Sequence, residues 1–238
     1  MKKQLYFLIA FLIFNFSFAY SQNSDTLFYK LKKAKTHQNE ILLVLLQGYG
    51  SNEDDLMGLS GFFPDNFTIV CPRATYTLRQ GAYQWYTSQK SNGGFDGNPK
   101  EVQESRTKIY ETVTRLQEKF DIEPRQTIVA GFSQGANMSY QMALHSPQLM
   151  AGIGAFSGTL FESLKINFDT SKLNQPAIFI AHGDQDNRIP YTAAQNSYEW
   201  LTNHGAQPIF KTYNGMKHAI SREEMQDFYT FVRSTTKH

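Results

Sequence analysis

Residues 127–145 read TIVAGFSQGANMSYQMALH, and few folds accommodate such a stretch. Thr127-Ile128-Val129-Ala130 is a short β-branched apolar run of the kind that forms a buried strand. Gly131-Phe132-Ser133-Gln134-Gly135 follows. Ala136, Met138, Tyr140, Met142, Ala143 and Leu144 then carry a helix as far as Ser146-Pro147. A serine on the sharp turn between a buried strand and a helix sits in strained backbone, so the residues two positions away must be small. Gly131 and Gly135 meet that requirement. The hydroxyl then stands above the sheet edge, beside the positive end of a helix. Chance alone places a G-x-S-x-G pentapeptide in roughly one chain of this length in ten. The remainder of the chain must therefore supply the partners that such a serine needs.

Apolar runs alternate with helical spacing along the chain. Segments 41–46, 67–71, 152–156, 177–181 and 209–213 read as further strands. A helix carrying Leu56, Leu59 and Phe62 is expected behind the caps and acids of Ser51-Asn52-Glu53-Asp54-Asp55. Others are expected from the Asn98-Pro99-Lys100-Glu101 start, over 192–203, and from the capping box Ser221-Arg222-Glu223-Glu224. Residues 73–98 read as a loop. Strands separated by helices predict an α/β fold with a mostly parallel sheet covered on both faces. In such sheets the chemistry gathers at the carboxyl ends of the strands.

After 41–46 comes Gln47-Gly48-Tyr49-Gly50. Acyl transfer needs two N–H donors where negative charge develops on the carbonyl oxygen, and Tyr49 and Gln134 are the candidates for this oxyanion hole. The same glycines also suit an ordinary strand-to-helix turn. After 177–181 come two acids that could orient an imidazole. Asp186 is preferred, because the loop has turned by then and Ile189-Pro190 anchors the next element. Asp184 is expected to make local backbone bonds, and His182, at the strand terminus, is read as structural. After 209–213, His218 lies just before a capped helix, where its ring can lean over the sheet edge. The candidate catalytic residues thus run Ser133, Asp186, His218, each behind a strand, in the order nucleophile, acid, base.

Met1-Lys2-Lys3 and the apolar run that follows, ending in small residues near 19–22, read as a signal peptide over 1–21. Residues 22–238 are then expected to form one domain, exported to a periplasm or secreted, without a stable membrane anchor. A formal net charge of +2 with no long basic block gives no case for nucleic acid as a partner. The single cysteine, Cys71, closes an apolar run and is expected as a buried thiol. The histidines are scattered, H-E-x-x-H is absent and no cysteine pair exists, so neither a metal nor another cofactor is expected.

With these residues assembled, the chain resembles the phospholipase/carboxylesterase family of α/β-hydrolases, which includes the acyl-protein thioesterases. The resemblance runs from about Ile41 to the C-terminus. It is carried by Leu46 to Gly50 with Glu53-Asp54-Asp55-Leu56, by Cys71-Pro72-Arg73-Ala74, by Trp85-Tyr86 and by Gly131 to Ala136. Phe156-Ser157-Gly158, His182-Gly183 through Asp186 to Pro190, and Gly215-Met216-Lys217-His218 complete it. It implies the α/β-hydrolase fold, little or no lid, and a small-molecule ester substrate. The reaction it implies is cleavage of ester or thioester bonds of short-to-medium acyl or aryl-acyl groups. Trp85 and Leu160 are expected as substrate-binding walls of the pocket. Two features depart from the family. Gln47 stands where the family usually has histidine, and the leader favours an exported esterase over protein-thioester turnover. A carbohydrate esterase removing feruloyl or acetyl groups is the rival reading, and a non-catalytic binding protein on the same fold is a more distant one.

Overall fold

The computed structural model describes residues 26–91, 94–166 and 176–236; the leader expected over 1–21 lies outside them. In chain order the sequence forms β1 (Tyr29–Lys32), β2 (Ile41–Leu46), β3 (Phe67–Pro72), β4 (Tyr76–Arg79), β5 (Ala82–Gln84), β6 (Ser88–Ser91) and β7 (Gly94–Gly97). Then follow α1 (Pro99–Phe120), β8 (Thr127–Phe132), α2 (Gln134–His145), β9 (Gly152–Phe156) and the short α3 (Glu162–Lys165). β10 (Ala177–Gly183), α4 (Tyr191–Asn203), β11 (Ile209–Tyr213) and α5 (Arg222–Thr235) complete it.

One seven-stranded sheet runs β1-β3-β2-β8-β9-β10-β11. All its neighbours pair in parallel except β1, which lies antiparallel on β3. The basic run near Lys30 thus falls on an edge strand, where its cations reach water. β2 and β3 are buried along their whole length, as continuous apolar strands between two covered faces should be. Alternation divides β2 between two cores. Leu42, Val44 and Leu46 join the cluster beneath α1, α2 and α4; Ile41, Leu43 and Leu45 join the one beneath α5. This is the α/β-hydrolase arrangement.

The helix starts follow their local chemistry. Asn98 accepts from the N–H groups of Lys100 and Glu101, with Pro99 in the first turn. Ser221 and Glu224 form a complete capping box for α5. Two expectations differ from the structure. The helix expected behind Ser51 is a 3-10 turn, Leu56–Phe62, with no side-chain cap. Its acids are used elsewhere: Glu53 forms a forked pair with Arg73, and Asp55 accepts from Ser51 Oγ. The region expected as a loop over 73–98 folds into two hairpins, β4–β5 and β6–β7.

α2 is buried from Gln134 to Leu144, its polar Gln134, Asn137, Ser139 and Gln141 included. Its first turn sits directly on β2. A Cβ on Gly135 would lie 2.0 Å from the Leu46 carbonyl oxygen, and one on Gly131 would lie 2.3 Å from the Gly135 carbonyl. Both contacts are with backbone, so no rotamer change relieves them. Gly135→Ala is therefore expected to destabilise the protein by about 2–3 kcal/mol. Gly58→Ala, with nothing within 4 Å of the added carbon, should stay within about 0.5 kcal/mol of the parent. Urea unfolding of the pair checks this; equal midpoints would contradict the packing described.

Candidate active site

Ser133 occupies the tip of the turn between β8 and α2, at φ 55° and ψ −116°. That conformation is rare and strained for a residue with a side chain. It is held by hydrogen bonds on both sides of the peptide unit. Ser133 N–H donates to the Phe156 carbonyl at 2.9 Å, and its carbonyl accepts from Asn137 N–H at 3.1 Å. The side chain is half-buried. Gln134 is the first residue of α2, so its N–H is one of the four donors that a helix leaves without an internal partner. The end of β2 approaches from the other side. A Cβ on Gly48 would lie 3.6 Å from Ser133 Cβ and 3.2 Å from the Phe132 ring, which brings the backbone before Tyr49 against the serine. Tyr49 itself points its side chain into solvent, 59% exposed. The loop that carries Tyr49 and the first turn of α2, which begins at Gln134, thus both adjoin Ser133.

The β10 and β11 loops are braced together. Asp184 N–H donates to the Tyr213 carbonyl, and Gln185 N–H to the Met216 carbonyl at 3.1 Å. Asp184 Oδ1 accepts from Gly215 N–H at 2.7 Å. Its bonds were expected to be local; instead it ties the acid loop to the loop that carries His218. Asp186, on the same loop, accepts from His218 Nδ1 at 2.7 Å through Oδ2. Its Oδ1 accepts from the N–H groups of Arg188 and Ile189 at 2.8 and 3.0 Å. Burial pushes this carboxyl up, but the bonds from His218, Arg188 and Ile189 outweigh it and hold the pKa below its ordinary value. An ionised carboxylate can only accept, so His218 Nδ1 bears a proton toward Asp186, and in the neutral ring the lone pair is then on Nε2. The His218 ring rests 4.7 Å from that of Phe132, the neighbour of Ser133. No hydrogen bond joins Ser133 to His218 among the described residues, a looseness common where no substrate aligns the pair.

His182 is wholly buried beneath this pair. Its Nε2 lies 2.9 Å from the Ile189 carbonyl, an acceptor, so that nitrogen bears the proton; Asp186 Oδ2 is 3.3 Å away. Burial draws its pKa down, against the pull of Ile189 and Asp186. It serves as packing and support for the acid loop.

Trp85 and Leu160, expected as walls of a substrate pocket, are 0% and 1% exposed and present no surface to solvent. This corrects the expectation for both. Trp85 lies under the β2 loop, and its indole N–H donates to the Gln47 carbonyl at 2.9 Å. Leu160 is pinned through its N–H to Ser197 Oγ. The Gln134 side chain has a part that the motif did not disclose. Its Oε1 accepts from Trp85 N–H at 3.0 Å and its Nε2 donates to the Tyr86 carbonyl at 2.8 Å, clamping the aromatic segment to the start of α2. Only the tertiary fold brings those residues together, so spacing carried no signal of it. Gln47 is buried, accepts from Ala74 N–H, and leaves Nε2 without a partner. Among the described residues no group of three His, Cys, Asp or Glu side chains could hold a metal ion.

The family model described as phospholipase/carboxylesterase matches residues 31–236. Acyl-protein thioesterase 1 of Kluyveromyces lactis is 34% identical over 129 residues, which are 51% of this chain and 56% of that protein. The chain thus spans little more than half of that relative. Acyl-protein thioesterase 1 homolog 1 of Dictyostelium discoideum is 29% identical over 173 residues, 70% of this chain and 76% of that protein. Among solved structures, esterase PE8 superposes with a TM-score of 0.73 at 25% identity, covering 88% of this chain and 99% of that one.

The Asp186 carboxylate sets one pH dependence of stability. Its folded pKa is depressed, so its contribution is present above the unfolded pKa, near 3.8, and is lost as pH falls through the lower folded value. Asp186→Asn should therefore cost about 2 kcal/mol at neutral pH. The gap from the parent should narrow as pH drops below about 4. Urea titrations at neutral and acid pH check this; a gap that does not change with pH would contradict the ionised, bonded state described.

Proposed function

The chain belongs to the phospholipase/carboxylesterase family, and we propose that it is a serine hydrolase of carboxylic esters and thioesters. The observation that carries this reading is the bonded Asp186–His218 pair set beside a strained serine. In the first step Ser133 Oγ attacks the acyl carbonyl carbon, and its proton passes to His218 Nε2. The charge that develops on the carbonyl oxygen is met by the N–H groups of Tyr49 and Gln134. The tetrahedral adduct collapses, the bond to the leaving oxygen or sulfur breaks, and His218 returns the proton to that atom. A water molecule then repeats the sequence on the acyl-enzyme and releases the carboxylic acid. Asp186 keeps the imidazole in one tautomer and stabilises its cation.

The burial of Trp85 and Leu160 supports short acyl groups over long ones, since neither side chain offers a wall to an extended chain. The names of the yeast and amoebal relatives support the thioester side of the reading. The basic and apolar start of the sequence supports export, to a periplasm or beyond the cell.

Turnover of p-nitrophenyl acetate, butyrate and octanoate tests the proposal. The expected result is hydrolysis that favours the shorter esters. Ser133→Ala should lower kcat/KM by about 10³-fold or more. Turnover that survives undiminished in Ser133→Ala would overturn the assignment.

A further inference from the structure

A cavity of about 260 Å³ opens between α1, α2 and α3. Its size is close to the lower end of what holds a small molecule. It is distinct from the site at Ser133. Its α2 residues, Gln141 and His145, stand about 12 and 18 Å along the helix from the serine. The lining divides by chemistry. Val102, Phe161 and Leu164 form an apolar floor, and Arg106, Gln141 and His145 face it with polar groups.

Two of those polar groups are without partners. Arg106 is half-buried and makes neither an ion pair nor a hydrogen bond among the described residues. Burial disfavours its charge. Gln141 is only 4% exposed, and its amide makes no hydrogen bond among the described residues. That amide lines the cavity, where the oxygens of a bound molecule can reach it. His145 stands at the exposed C-terminal end of α2, where partial desolvation of its ring, then the nearby Arg106 cation, draw its pKa down to about 4. The acids adjacent in sequence to the lining residues Gly97 and Ser163 are engaged. Asp96 accepts from Ser163 N–H and Oγ, and Glu162 pairs with Lys165. An anion with acceptor oxygens on one side and an apolar body on the other would match both halves of this lining.

We propose that this cavity binds a small amphiphilic carboxylate. The carboxylate oxygens accept from the Arg106 guanidinium and the Gln141 amide, and a short alkyl or aryl body lies on Val102, Phe161 and Leu164. The guanidinium supplies a planar fork suited to a carboxylate. Inorganic phosphate would engage the cation but leave the apolar floor uncovered, so the carboxylate with a body is the better fit. The inference stands apart from the reaction at Ser133.

Titration of ¹⁵N-labelled protein with hexanoate, acetate, hexan-1-ol and inorganic phosphate tests it, read from amide shifts. Hexanoate is expected to saturate shifts at amides within residues 102–106, 141–145 and 161–165. Acetate, hexan-1-ol and phosphate should each bind at least about ten-fold more weakly. Arg106→Gln should weaken hexanoate by at least about ten-fold, with its other amide shifts unmoved. Gln141→Leu, close in volume, should weaken it several-fold and provides a second variant. Hexanoate shifts grouped around Ser133 and His218, or unchanged affinity in Arg106→Gln, would overturn the proposal. So would hexan-1-ol or phosphate binding as tightly as hexanoate, or no saturation by about 20 mM hexanoate.

Discussion

With only 2.0 Å between a would-be Gly135 Cβ and the Leu46 carbonyl oxygen, the first turn of α2 rests on the end of β2 with no room for a side chain. That backbone contact governs much of what surrounds it. It forces the chain at Ser133 into a conformation that a side-chain-bearing residue rarely takes. It brings the first turn of α2 and the loop after β2 together beside Ser133. The strain is tolerated because it is over-determined: β8 is fixed between β2 and β9, and the elbow peptide bonds to β9 through Phe156. Strain stored by a buried frame leaves the serine pre-positioned, so little reorganisation is needed when charge develops beside it.

The acid and the base are organised by a different means. Their loops are irregular, yet each is tied to the other by the backbone bonds from Asp184 and Gln185 to Tyr213 and Met216 and by the Asp184 carboxylate. Asp186 is saturated with donors, which keeps it ionised despite its burial. One electrostatic fact, a buried carboxylate with its charge intact, then decides the tautomer of His218. Separately, the Gln134 side chain and the Trp85 indole bond the loop after β2, the start of α2 and the aromatic stretch to one another.

The central strands of the sheet were legible because they are apolar runs between capped helices, and Ile41–Leu46, Gly152–Phe156 and Ile209–Tyr213 match their expected ends; the half-polar edge strand Tyr29–Lys32 gave no such run to read. The positions of Ser133, Asp186 and His218 at strand ends were legible for the same reason, since a parallel sheet delivers them to one edge. What the residues did not disclose depends on tertiary contact. Trp85 reads as an aromatic wall until its indole N–H is seen to meet the Gln47 carbonyl. Asp184 reads as a turn residue until the β11 loop is seen to close on it. The acids after Ser51 read as helix caps, but Arg73, distant in sequence, takes Glu53 instead. The hairpins of 76–97 are rich in polar and glycine residues and carry little periodicity to read.

Fluorophosphonate labelling followed by peptide mapping tests the central claim most directly, because it requires an activated serine and no knowledge of the natural substrate. The account predicts a single adduct on Ser133. It predicts that His218→Ala slows labelling by at least about 10²-fold. An adduct elsewhere, or a labelling rate unchanged in His218→Ala, would contradict the claim that Asp186 and His218 activate the serine at the elbow.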